Sequence, residues 1–172
     1  ITFVRESGMM RDPMLDYLCP PDMTWHSAFI ITRSGDTHAI VGQMEQKTVE
    51  ELEVWGQVTG YVEGIKDDLL KYLESVDPAS IAVNYSRNSE VCDGLTHGMF
   101  LILEEMLGEI GFQDRLVSSD KVASSLKARK TATELGRMRE AIGHTLDIFR
   151  MVRDFIRPGR TEKEIAAFMT QE

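Results

Sequence analysis

Few side chains in this sequence are of a type and spacing that could bind a metal ion. His97 and Glu104 are separated by two helical turns in a segment with helical periodicity, so both could lie on one helix face. A zinc site needs three or four converging ligands, and two turns separate these two. The pattern therefore favours a solvent-exposed helix face.

The two cysteines, Cys19 and Cys92, could act as nucleophiles only beside a positioned base. His26 is near Cys19 in sequence, but Pro20 and Pro21 intervene and no third partner is evident. Their wide separation argues against a disulfide framework or a zinc knuckle, and it favours a reducing cytoplasm. The sequence contains no glycine-rich phosphate loop, G-x-S-x-G or H-E-x-x-H motif, so we expect buried or unreactive thiols.

Two loops carry the remaining candidate residues, which are Trp25, His26, Arg87 and Asn88. Trp25 and His26 lie in a polar loop, where an exposed aromatic side chain can gate a neighbouring site, although core packing of Trp25 is the simpler alternative. Arg87 and Asn88 follow a predicted strand, where open α/β sheets place ligand loops, although a plain turn explains them as well. We predict these four as substrate-gate or interface residues.

Hydrophobic periodicity predicts the elements that position these residues. Helical spacing of leucine, isoleucine and methionine predicts helices over 65–77 and 95–110, and an acidic segment predicts another over 46–55. Short β-branched or apolar runs predict strands at 1–5, 28–32, 37–41, 58–62, 81–84 and 116–118, the second and third forming a hairpin. Alternation of strands and helices predicts an α/β fold with a mixed β-sheet flanked by helices over 1–119.

The remainder of the chain is predicted to be a helical extension, with a linker over 120–130 and further helices over 131–172. Thr131 with Glu134, and Thr161 with Glu164, have the spacing of capping boxes. The apolar stripe of the first long helix needs a partner surface that two helices cannot supply, and it comprises Leu135, Met138, Ile142, Leu146, Phe149, Val152 and Ile156.

Composition excludes several functional classes. The net charge of −9 would repel a phosphate backbone, so we expect no nucleic-acid partner. No apolar stretch approaches the roughly 20 residues that cross a bilayer, and no signal peptide opens the chain. We therefore expect a cytoplasmic protein without a membrane partner.

The sequence carries an ordered set of short motifs around the predicted linker, namely Arg129-Lys130-Thr131, Glu134, Met138-Arg139, Ala141, Ile156, Pro158-Gly159, Thr161-Glu162 and Glu164-Ile165-Ala166. Their order and spacing resemble the junction between the two domains of the creatinase/prolidase (Xaa-Pro peptidase) family. Upstream, Arg5-Glu6, Asp12-Pro13 and 15–18 resemble that family's N-terminal domain, which has a ribonuclease H-like motif, here without its usual first helix.

The resemblance implies a hydrolase of short peptides whose "pita-bread" catalytic domain holds two divalent metal ions of the Mn, Co or Zn type. Its ligands, two Asp, one His and two Glu, would lie beyond Glu172. The predicted role of this chain is to form a dimer through the N-terminal domain and to restrict substrate access. We expect no catalytic, metal or cofactor-binding residue in the chain and no activity from it alone. Because Ile1 lies inside a predicted strand and Glu172 inside a predicted helix, we expect the sequence to be a piece of a longer protein, truncated at both ends.

Two alternatives remain open. The first is a stand-alone α/β binding or interaction module that shares only the architecture, since one fold hosts many functions. The second is the N-terminal part of a creatinase-like amidinohydrolase, which hydrolyses a C–N bond without metal.

Overall fold

Residues 1–171, which the computed structural model describes, form six β-strands and seven α-helices in two units, 1–126 and 127–171. The strands are β1 (Thr2–Val4), β2 (Ser27–Ile31), β3 (Thr37–Gly42), β4 (Gln57–Tyr61), β5 (Ile81–Val83) and β6 (Leu116–Ser118). The helices are α1 (Leu15–Leu18), α2 (Gln43–Glu50), α3 (Lys66–Val76), α4 (His97–Gly108), α5 (Asp120–Ala128), α6 (Ala132–Phe155) and α7 (Glu162–Gln171).

The first unit is built on a mixed sheet with strand order β1-β2-β3-β4. β1, β2 and β3 are antiparallel neighbours, whereas β4 is parallel to β3. Alternate residues of β2 point to opposite faces, and both faces are buried because helices cover each of them. Ala28 and Ile30 belong to the core with α3 and α4, and Phe29 belongs to the core with α1 and α2. The predicted α/β fold and its hairpin are confirmed.

A second, two-stranded parallel sheet of β5 and β6 continues beside β1. The nitrogen of Ile1 donates to the carbonyl of Ala82 at 2.6 Å. The next contact between β1 and the residues that follow β5 uses a side chain. Phe3 N–H donates to Asn84 Oδ1 at 3.0 Å, and Asn84 Nδ2 donates to the Phe3 carbonyl at 3.3 Å. The Asn84 carboxamide therefore replaces one peptide unit of a strand and joins the two sheets.

The prediction for α2 is wrong at both ends, because the helix occupies Gln43–Glu50 rather than 46–55. The chain leaves the helix and adopts a left-handed conformation at Glu53 (φ 54°). This reversal allows Trp55 to lie against Phe29 of β2, with ring centroids 5.2 Å apart. Burial of an aromatic ring against the sheet thus takes Trp55 out of the helix.

The second unit consists mainly of α6 and α7. Both predicted capping boxes are confirmed. Glu134 N–H donates to Thr131 Oγ1 at 3.2 Å, and Glu164 N–H donates to Thr161 Oγ1 at 3.3 Å. No helix within residues 1–171 is both long enough and apolar enough to cross a membrane. The stripe of α6 is exposed except at Val152, and the exposed members are Leu135, Met138, Ile142, Leu146, Phe149 and Ile156.

Candidate functional site

One edge of the sheet gathers the loops that carry all four predicted site residues. Val4 at the end of β1 pairs with Ser27 at the start of β2, and Gly42 at the end of β3 pairs with Tyr61 at the end of β4. β5, which is parallel to β1 at the Asn84 contact, ends at the same edge. We call this edge, with the loops that follow β1, β3, β4 and β5 and precede β2, the rim.

Trp25 is on the rim surface with 53% of its area exposed, so the alternative of core packing is wrong. Its ring lies across Gly42, where an added Cβ would be 3.0 Å from Trp25 Cγ. A larger residue at position 42 would therefore displace the indole. The socket, as we call this depression of about 190 Å³, is lined by Trp25, Gly42, Gln43, Met44, Tyr61 and Val62.

His26 is partly buried, and its ring stacks against that of Phe3 with the ring centroids 5.8 Å apart. Its carbonyl accepts a hydrogen bond from the Tyr61 hydroxyl at 2.8 Å. Burial, assisted by Glu45, raises the pKa of Tyr61 to about 12, so this phenol remains a protonated donor. His26 Nε2 is buried without a hydrogen-bond partner within the described residues. Burial first, and the charge of Arg5 second, lower the pKa of His26 and keep the imidazole neutral.

We expect the α/β unit to lose stability as pH falls below about 6.5, the ordinary pKa of histidine. Below that value the unfolded chain binds protons that the folded His26 and His38 exclude, because burial lowers the pKa of both. Substituting His26→Phe should reduce, but not abolish, the slope of unfolding free energy against pH, since His38 remains. Urea unfolding between about pH 5 and 7 measures this slope, and an unchanged slope would contradict the prediction.

Arg87 and Asn88 lie in the exposed loop after β5. Their loop is closed by local bonds in which Asn88 N–H and Ser89 N–H donate to Ser86 Oγ, which donates to Asp120 Oδ2 at 3.1 Å. Such a serine-centred turn forms without any ligand. Within residues 1–171, no hydrogen bond or ring contact links Arg87 or Asn88 with Trp25 or His26.

The methionines of the rim were not predicted from the sequence. Met44 is 86% exposed at the start of α2, and Met9 and Met10 are exposed after β1. A second depression of about 160 Å³ lies beside Met9 and Met10 and reaches Thr96 at the start of α4. The sequence signal for two of them was the Met9-Met10 pair directly after Ser7-Gly8, because a Ser-Gly dipeptide ends a strand and places the residues that follow it in a loop. Exposed methionine suits surfaces that adapt to an apolar partner.

The described residues carry no donor set that would fit a metal ion. Within residues 1–171, no group of three His, Cys, Asp or Glu side chains converges. Cys19 and Cys92 are both buried, and burial raises the pKa of the Cys19 thiol to about 11, which disfavours the nucleophilic thiolate. His97 and Glu104 are exposed on α4. Among the described residues, the rim thus presents exposed apolar side chains, Trp25 and Met44 among them, and no group of metal ligands.

Comparison with known proteins places the fold. No family model matches the sequence, and no curated protein does. The structure is similar to the crystal structure of the X-Pro aminopeptidase from Thermotoga maritima MSB8, with a TM-score of 0.58 and 18% identity. The match covers 98% of this chain and 44% of that chain, so this chain spans less than half the length of that enzyme. The likeness shows a shared mixed α/β fold.

Proposed function

We propose that this chain is the non-catalytic N-terminal part of a metallopeptidase of the Xaa-Pro dipeptidase or aminopeptidase P type. The observation that carries the proposal is the extent of the structural likeness, which includes 98% of this chain but only 44% of the X-Pro aminopeptidase. The ordered junction motifs from Arg129 to Ala166 support it independently. A protein with only the architecture in common would not be expected to carry that ordered set of motifs.

The exposed stripe of α6 also supports this proposal. A helix of 24 residues with an apolar face along its length is typical of a helix packed in a larger domain. Ile142, Leu146 and Phe149 are each half-exposed here. We infer that a further domain of the same protein covers them, and that the apolar area buried there fixes the two domains together.

Metal binding would then belong to that further domain, since the described residues do not fit such a site. A pair of divalent ions held by that further domain would supply Lewis-acid chemistry for hydrolysis of a peptide bond. The part that this chain would play is steric. Its rim, with Trp25 and Met44 exposed, would face the entrance of a catalytic site and admit only short peptides, within a homodimer.

The test is to determine the reading frame downstream of Glu172 and to express the longer protein. We expect Mn²⁺-dependent cleavage of an Xaa-Pro dipeptide or of the first residue of an Xaa-Pro peptide, and no cleavage by residues 1–172 alone. Hydrolysis of creatine instead would indicate the amidinohydrolase. A frame that ends at Glu172 would contradict the proposal and favour a stand-alone binding module.

The steric role predicts the effect of Trp25→Ala in that longer enzyme. Removing the exposed indole should change KM for short peptides while kcat stays within about twofold, because Trp25 would contact substrate outside the reacting bond. Gln43→Ala, a change in a neighbouring exposed side chain of the socket, is the control. Unchanged kinetics for Trp25→Ala would refute the gate and leave the family assignment to the cleavage assay.

A further inference from the structure

Trp25 is an exposed aromatic residue in a segment without regular structure. Its neighbours in the chain, Thr24 and His26, belong to neither a helix nor a strand. The indole ring lies across Gly42, but about half of the residue is in solvent, so packing holds the ring only in part. Keeping an exposed side chain in one place costs conformational entropy. The position of the indole must therefore depend on the backbone that carries it.

Two side chains from different elements anchor the backbone on either side of Trp25. On one side, Thr24 N–H donates to Oε1 of Glu45, in the first turn of α2, at 2.5 Å. On the other side, the hydroxyl of Tyr61, at the end of β4, donates to the His26 carbonyl at 2.8 Å. The anchors are 21 and 35 residues away from their partners in sequence, so both bonds form only in the folded unit.

Glu45 and Tyr61 are also neighbours of each other. Burial first, and the charge of Glu45 second, raise the pKa of Tyr61, which keeps its hydroxyl protonated and able to donate. The second carboxylate oxygen of Glu45, Oε2, is buried without a hydrogen-bond partner among the described residues. An unpaired buried oxygen costs free energy, so stability alone gives no reason for a glutamate at this position. Positioning of Trp25 supplies one.

We propose that Glu45 and Tyr61 are positioning residues that hold the Trp25 indole in place at the rim. A loop that is fixed before a peptide arrives lowers the entropic cost of binding that peptide, so the two anchors contribute to affinity through Trp25. The role of Trp25 as a gate rests on the proposed function, whereas the way in which Trp25 is held does not.

The anchors are tested by amide hydrogen exchange of the 172-residue chain, followed by NMR. In Tyr61→Phe the Thr24 N–H keeps its acceptor, but it should exchange about two- to tenfold faster, because loss of one hydrogen bond favours opening of the loop by that factor. Tyr72→Phe, which removes a hydroxyl from α3, is the matched control and should leave Thr24 unchanged. Parent-like exchange of the β3 amides in both variants shows that the sheet is intact.

Glu45→Ala and Glu45→Gln form a second matched pair. Alanine removes the acceptor of Thr24 N–H, whereas the amide oxygen of glutamine can still accept that bond. The reporter is Glu6 N–H, which donates to the Thr24 carbonyl at 3.3 Å. Its exchange should be faster in Glu45→Ala and close to that of the parent in Glu45→Gln. Unchanged exchange in both Tyr61→Phe and Glu45→Ala would overturn the proposal.

The longer enzyme tests what the anchors contribute to binding. Tyr61→Phe should move KM for short peptides in the same direction as Trp25→Ala, with kcat within about twofold. In a Trp25→Ala background the same substitution should leave KM unchanged, because no indole remains to be positioned. Equal effects in both backgrounds would show a general structural role and refute the positioning role. An enzyme that cleaves no Xaa-Pro peptide would contradict the proposed function instead, and the exchange rates would still decide how Trp25 is held.

Discussion

Substituting Asn84→Ala is expected to lower the free energy of unfolding of the α/β unit by about 3 kcal/mol or more. The substitution removes the partner of Phe3 N–H and the partner of the Phe3 carbonyl in one step. It also removes a donor to Asp12 Oδ2, and Asp12 is itself buried. Each buried polar group left without a partner costs about 1–3 kcal/mol. Urea unfolding followed by circular dichroism measures the loss.

The matched control is Asn88→Ala, four residues further along the same loop. Its side chain is exposed, and among residues 1–171 its one hydrogen bond is that of its backbone N–H, so we expect a change within about 0.5 kcal/mol. Asn84→Asp should be as harmful as Asn84→Ala, because a carboxylate cannot donate to the Phe3 carbonyl or to Asp12. If Asn84→Ala were as stable as Asn88→Ala, the bridge between β1 and β5 would carry no net stability.

The second large effect is expected for Gly94→Ala. Gly94 lies beside the same network, and its N–H donates to the Asn84 carbonyl at 3.0 Å. An added Cβ would overlap the Asp12 carboxylate and lie 2.8 Å from Asp12 Cβ. Asp12 cannot turn away without losing its bonds to Asn84 and to Met14 N–H. We expect the free energy of unfolding to fall by about 3 kcal/mol, which is at the upper end of the usual cost of overpacking a core.

Gly98→Ala is the control for this substitution. Gly98 is in the first turns of α4 with no atom within 4 Å of an added Cβ, so alanine should stabilise the helix by up to about 1 kcal/mol. In an Asp12→Ala background, the cost of Gly94→Ala should shrink, because the overlapping carboxylate is gone. Equal costs in both backgrounds would show that the strain arises elsewhere.

Amphipathic spacing was sufficient to predict the helices that pack on the sheet. Leu69, Leu70 and Leu73 of α3, with Leu103 and Leu107 of α4, are buried as their periodicity indicates. β6 was predicted at its observed bounds, and the capping boxes located the start of α6 and α7 to the residue. These features depend on residues close together in sequence, and local patterns report them well.

The features that the sequence did not predict depend on distant partners. Nothing near Asn84 indicates that its side chain bonds with Phe3, 81 residues away, or with Asp12, 72 residues away. The place of the Trp25 ring across Gly42 likewise depends on a distant partner, because Gly42 comes close only after β2 and β3 pair.

The long separation between Phe3 and Asn84 has a consequence for synthesis on the ribosome. β1 can pair with β2 on one side as soon as β2 has emerged, but the residue that completes its other side follows Phe3 by 81 positions. At about 5–20 residues per second, that delay lasts about 4 to 16 s. During this interval the outer side of β1 is an open strand edge, the kind of surface that pairs with other chains. We expect nascent chains paused before Asn84 to be the species most prone to aggregation and to chaperone binding.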